Sequence, residues 1–222
     1  KELAEAGLSV VVLERGQWAH LREHFDDEFL SSAPELLGPD PRHVRVAWKD
    51  NRWATITPGD PMYCGNAVAV GGGTVFYGAM AWRFPPIDFR LRSAYGTVAD
   101  SSLEDWPISY DDIEPCYEKV EWEIGVAGDM SACPQAPPRK RNYPMPAFPY
   151  NKAAEVLAAG GKRAGLHPFP VPMLRNSVPY NNRPACLQRR FCPGFNCPAD
   201  AKNGTHNTVL PKALATGNCE LR

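Results

Sequence analysis

Residues able to do chemistry fall in four places. The run SVVVLERG, residues 9–16, closes an apolar, β-branched stretch on an acidic residue, Glu14, with Gly16 two positions on. A carboxylate at the end of a buried parallel strand can accept both hydroxyls of a nucleotide ribose; the plain alternative is a strand ending in a solvated glutamate. Gly71, Gly72 and Gly73 stand together before Thr74. Glycines let a backbone approach a ligand closely and turn its N–H groups towards phosphate; the plain alternative is a flexible hairpin. Cys186, Cys192 and Cys197 crowd into one stretch, the last followed by proline. Such thiolates can hold an iron–sulfur cluster, and three ligands suit a three-iron centre better than a four-iron one. A zinc site would need His206 as fourth ligand and lacks a C-x-x-C pair. Plain packing of buried thiols is preferred over both.

The elements that must position these groups follow from patterning. Residues 1–7 read as the end of a helix that stops on Gly7, and residues 9–14 as a parallel strand covered on both faces. Helix, glycine, strand and acidic end make the second half of a strand–helix–strand nucleotide unit, whose glycine loop lies about 20 residues before the acidic residue. Counting back from Glu14 passes Lys1, so the chain is expected to be a fragment that lacks that loop. HLREHFDDEFLSSAPELL reads as one or two short surface helices, and VRVAWKDNRWATITPG as two strands around an Asp-Asn turn. Ser109 caps an expected helix. Asp111, Asp112 and Glu114 favour its first turns, and Ile113, Tyr117, Val120 and Ile124 give it an apolar core face. The proline-rich residues 131–150 cannot form a regular element and are read as an extended arm held by Tyr143, Met145 and Phe148. NKAAEVLAAGGKRAGL is a further helix with a glycine stop.

Composition narrows the class. A net charge of -1 and a pI near 6.6 give no reason to expect a nucleic acid or an acidic membrane as partner. No run of 18 apolar residues could span a bilayer, and no charged-then-apolar leader is visible. With 23 prolines and 18 glycines the chain is loop-rich rather than a helical bundle, and seven cysteines, an odd number, argue against a fully disulfide-paired framework.

Taken in order and spacing, GLSVVVLERG, AVGGGTVFYGAMAWRFPPIDF, DWPISYDDIEPCYEKVEWEIGVAG, YPMPAFPY and CPADAKNGTHNTVLPKAL resemble the glucose–methanol–choline (GMC) family of FAD-dependent oxidoreductases. The resemblance is to its bacterial branch of gluconate, fructose and glucose dehydrogenase large subunits, and it runs over essentially the whole chain. It implies an α/β fold: part of a Rossmann-like FAD-binding domain with long loop-rich insertions, and part of a substrate domain. Residues 1–130 would belong to the FAD-binding domain without its first glycine loop. Residues 131–185 would be the arm and helix towards the substrate domain, and 186–222 a cysteine loop returning to the FAD-binding domain.

The resemblance also implies roles. Glu14, with Arg15 beside it, would bind the adenosine ribose of FAD. Gly71, Gly72, Gly73 and Thr74 would line the pyrophosphate and ribityl chain, and Tyr77, Gly78 and Ala79 would lie against the flavin ring. Residues 203–208 would lie towards the substrate side. The family oxidises the CH–OH of an alcohol or sugar, with the hydride passing to the flavin. Some relatives tether FAD through a histidine just after the glycines; Val75, Phe76 and Tyr77 stand here, so FAD would be non-covalent. The family's catalytic histidine and its partner are expected beyond Arg222, so no general base is assigned, His206 included. This chain alone would bind FAD poorly and catalyse nothing. The expected partners are a small alcohol or sugar and an electron-accepting subunit, in the bacterial cytoplasm or at the periplasmic face of the inner membrane. The chief alternative is an iron–sulfur electron-transfer or metal-binding module centred on Cys186, Cys192 and Cys197. An NAD-dependent dehydrogenase would share Glu14 but leaves the triple glycine unexplained.

Overall fold

The computed structural model describes residues 1–18, 45–56, 67–189 and 192–222; the expected surface helices between residues 20 and 37 lie outside them. The chain is a mixture of helices and small sheets, consistent with the α/β class. It divides into two compact units, residues 1–78 with 187–222, and residues 79–186.

In the first unit, α1 (Glu2–Glu5) ends as expected at Gly7, whose φ of +84° only glycine adopts without strain. The chain then enters β1 (Val10–Val12), which pairs in parallel with β6 (Cys219–Leu221), Val10 opposite Cys219 and Val12 opposite Leu221. The ladder runs on past the strand: the Glu14 N–H donates to the Arg222 carbonyl at 2.8 Å. Helix α5 (Val209–Ala215) leads into β6, so the last 14 residues form a helix–strand unit docked beside the first strand. The expectation that β1 is covered on both faces needs correction. Among the described residues β6 is its one neighbour; Val10 and Val12 are half-buried and Val11 is 52% exposed. An unbroken apolar run marks what a strand can bury, not how many layers this chain supplies to cover it.

Further on, β2 (Arg45–Lys49) and β3 (Arg52–Ile56) form the expected hairpin. Asp50 and Asn51 both take positive φ (51° and 58°), the two-residue turn whose twist suits paired strands. The triple glycine is not a hairpin. Gly71 turns left-handed at φ +102° and Gly72–Val75 close a short 3₁₀ helix. Val75 and Phe76 bury their side chains with Ala69, which fixes the segment from behind.

In the second unit, α2 (Leu91–Tyr95) is followed by α3 (Tyr110–Val120). Its start is a reciprocal capping box: the Ser109 hydroxyl accepts from the Asp112 N–H, and the Asp112 carboxylate accepts the Ser109 N–H at 2.8 Å. The helix runs into a wide π turn, Glu121–Gly125. The proline-rich arm does make one regular contact, since β5 (Met145–Pro146) pairs in parallel with β4 (Ala127–Gly128). Met145 is fully buried there, a contribution of about 1.5–3 kcal/mol from its side chain. Tyr143 lies so close over Gly128 that a Cβ there would sit 2.5 Å from its ring. Phe148 stacks under Arg175. Helix α4 (Lys152–Arg163) is capped by Asn151 and stops before Gly165, φ +77°.

The expected core face of α3 is also corrected. Val120 is half exposed, and Ile113, Tyr117 and Ile124 are only partly covered. The fully buried positions at this end are Tyr110, Glu114 and Glu121. Arg83 explains the two buried carboxylates. Its guanidinium grips Glu121 with two bonds, 2.8 and 2.7 Å, and reaches the Tyr110 hydroxyl at 2.8 Å and Glu114 at 3.3 Å. Arg139, from the arm, donates to the same Glu121 at 3.0 and 3.3 Å and to the Tyr143 hydroxyl at 2.7 Å. Burial works against the charge on Arg83, but its bonds to Glu121 and Tyr110 outweigh that and raise its pKa.

Candidate cofactor-binding site

The first unit brings Glu14 and the glycine segment together, although more than fifty residues of chain separate them. Gly16 is the reason they can meet. A Cβ there would lie 2.3 Å from the backbone of Val68 and of Ala69, so only glycine allows the turn after β1 to touch the segment leading into Gly71. The contact is completed by a parallel bridge between Gln17 and Ala69, with the Val70 N–H donating to the Gln17 carbonyl at 2.9 Å. The Glu14 carboxylate is aimed locally, accepting the Gly16 N–H at 2.7 Å.

Between these two segments opens a cavity of about 280 Å³. Val10, Val12 and Glu14 line it from one side, Gly71 and Gly72 from another, and Thr205 and the face of α5 from a third. Its volume is at the small end of ligand pockets, suited to one part of a large cofactor.

The glycines act here by close approach more than by donating. The Gly72 N–H is committed to the Ala69 carbonyl at 2.7 Å, and the Thr74 N–H and hydroxyl both go to the Gly71 carbonyl at 3.1 and 2.6 Å. Segment 203–208 closes over them. The Thr205 N–H donates to the Thr74 hydroxyl at 3.1 Å, and the His206 ring is wedged between two glycines. A Cβ on Gly71 would lie 2.7 Å from that ring, and one on Gly204 2.6 Å. His206 therefore serves as a spacer that sets the glycine segment against the NGTHNT loop.

Other residues singled out by sequence are placed as follows. Arg15 is exposed beside Glu14. Tyr77 donates its hydroxyl to the Asn203 carbonyl; burial pushes that hydroxyl well above its ordinary pKa, and the Cys192 thiol adds to the rise. Gly78 ends the first unit, and Ala79, fully buried with φ +62°, opens the second. Of the cysteines, Cys186 belongs to the second unit and Cys192 and Cys197 to the first. The Cys197 sulfur accepts the Ala201 N–H at 3.4 Å. No three Cys, His, Asp or Glu side chains among the described residues gather to hold a metal ion. Lys202 is the residue that sequence reasoning missed. It is buried and central to this loop, and its only signal was a lysine set between the cysteines and NGTHNT.

No family model matches the chain. Its relatives nevertheless form a class, sugar and alcohol dehydrogenases and oxidases, as the motifs implied. Among them are the fructose dehydrogenase large subunit of Gluconobacter japonicus, 29% identical over 96% of this chain and 40% of its own length, and the gluconate 2-dehydrogenase flavoprotein of Pantoea cypripedii, 26% identical over 100% and 41%. The 6'''-hydroxyparomomycin C oxidase of Streptomyces lividus is 32% identical over 99% of this chain and 37% of its own. The chain is thus a homologue of dehydrogenase large subunits and related oxidases, and spans about two-fifths of their length. No described helix is long and apolar enough to cross a membrane.

Proposed function

We propose that the whole protein is an FAD-dependent oxidoreductase of GMC type that oxidises the CH–OH group of a sugar or related alcohol, and that this chain supplies part of the FAD site. The observation that carries the reading is the cavity that joins Glu14 to Gly71 and Gly72. An acidic strand end facing a glycine segment suits a nucleotide, and the relatives include a named flavoprotein.

The residues fit the adenosine side of such a cofactor. Glu14, fixed by the Gly16 N–H, accepts ribose hydroxyls, while Val10 and Val12 offer an apolar wall. Gly72, where an added Cβ would meet no described atom within 4 Å, lets the cofactor run close to the protein. Thr74 and Thr205 hold the two covering segments together. Tyr77, its pKa raised by burial, keeps its hydroxyl proton and donates it to the Asn203 carbonyl. Bound flavin supplies the hydride acceptor. Val75, Phe76 and Tyr77 offer no imidazole for a tether, so the cofactor is held without a covalent bond. An electron-accepting subunit would be the partner of the whole protein.

The test uses the whole purified protein, one portion acid-precipitated and another, left intact, assayed anaerobically with a panel of sugars and polyols. Yellow colour released to the supernatant, and bleached in the intact protein by at least one CH–OH substrate, supports the reading. Colour retained in the pellet contradicts non-covalent binding, and a colourless protein that takes up no FAD overturns the whole proposal.

A further inference from the structure

Lys202 is 2% exposed, a rare place for an ammonium. Burying that charge is costly unless its three donors are all met. They are met by backbone: the Phe195 carbonyl at 2.7 Å, the Cys192 carbonyl at 3.0 Å and the Tyr77 carbonyl at 3.3 Å. Two of these belong to the cysteine loop and one to the end of the glycine segment. A second tie runs alongside, since the Gly194 N–H donates to the Phe76 carbonyl at 2.6 Å. A third comes from Tyr77 itself, whose hydroxyl binds the carbonyl of Asn203, next to Lys202. The Lys202 backbone is held in turn, its carbonyl accepting from Asn207 at 3.0 Å while the same amide reaches Asp200 at 2.6 Å.

We propose that Lys202 is a positioning residue: its buried ammonium clamps the cysteine loop onto residues 76–77 and so sets the segment that faces the flavin ring. The inference rests on the FAD reading above. It gives the cysteine loop a purpose that needs no metal, because the loop is gripped through its carbonyls and not its sulfurs. A well-packed apolar side chain could fill the same space without the desolvation cost. The ammonium differs in ordering three separate carbonyls at once.

The adenosine cavity near Glu14 is not lined by Lys202, which separates two affinities. In the whole protein, stripped of cofactor, Lys202→Met should weaken FAD about tenfold, the scale of one charge-assisted hydrogen bond, and leave ADP binding unchanged. Tyr77→Phe, which removes a tie without removing a charge, should weaken FAD by about threefold with ADP again unchanged; it decides the matter if Lys202→Met does not fold. Parallel loss of FAD and ADP, or full retention of FAD by the variant that folds, overturns the clamp. A wild-type protein that binds no FAD refutes the functional reading instead.

Discussion

Gly16→Ala tests how the site is assembled. The added methyl would fall 2.3 Å from the Val68 carbonyl carbon and the Ala69 nitrogen, about 1 Å inside ordinary contact, and its neighbours are backbone rather than the yielding tip of a side chain. The two segments must part by roughly that distance. Overpacking of this kind costs about 1–3 kcal/mol, and the rigid neighbours put this case at the top of the range. Parting also stretches the Val70–Gln17 hydrogen bond, about 1 kcal/mol more, for a total near 4 kcal/mol. Gly73 provides the control, because a Cβ there meets no described atom within 4 Å. Urea denaturation should show Gly16→Ala strongly destabilised and Gly73→Ala within about 1 kcal/mol of wild type. The cavity beside Glu14 is lined by Gly71 and Gly72 and not by Gly73, so titration with ADP should show weaker binding in the first variant alone. Equal stability and equal ADP affinity in the two would refute the close approach as the feature that builds the cavity.

Three further outcomes are expected. Glu121→Gln leaves two buried guanidinium groups, Arg83 and Arg139, without the carboxylate they share, and should cost about 3–5 kcal/mol in urea denaturation. Ser109→Ala should cost about 1 kcal/mol at neutral pH. Bonds from the Ser109 N–H and hydroxyl hold the Asp112 carboxyl below its ordinary pKa; the hydroxyl's share, which Ser109→Ala removes, is complete above the unfolded value and is lost as pH falls through the folded one. The gap between Ser109→Ala and wild type should therefore narrow in acid, and a gap that widened there would count against the capping box. At Ala79, left-handed and fully buried, Ala79→Gly should stay within about 1 kcal/mol of wild type while Ala79→Val costs about 3 kcal/mol, read from thermal melts.

Much of the backbone plan was legible because it rests on local signals. A glycine after α1, a β-branched run for β1, an Asp-Asn pair at the hairpin tip and Ser109 three residues before Asp112 each act within a few positions of chain. What escaped depends on partners distant in sequence. The inward side of α3 and of the π turn after it carries Glu114 and Glu121, which any reading of apolar periodicity assigns to water; Arg83 and Arg139 make their burial possible, and nothing local announces them. Lys202 escaped for the same reason, since its acceptors are backbone carbonyls that leave no mark in the sequence. Three cysteines close in sequence left a shared ligand open beside the preferred plain packing, and no group of three ligating side chains gathers among the described residues. Glu14 and the triple glycine were each ambiguous alone. Their meeting at one cavity, permitted by Gly16, is what the structure adds.

The most direct test of the account is the ratio of FAD to FMN affinity in the cofactor-stripped whole protein, measured by calorimetric titration for wild type and Glu14→Gln. FMN lacks the adenosine that Glu14 is proposed to hold. The account predicts that Glu14→Gln weakens FAD about tenfold and leaves FMN unchanged, so that the ratio falls by the same factor. An unchanged ratio, whether because both affinities persist or because both fall together, would contradict the placement of the adenosine ribose at Glu14.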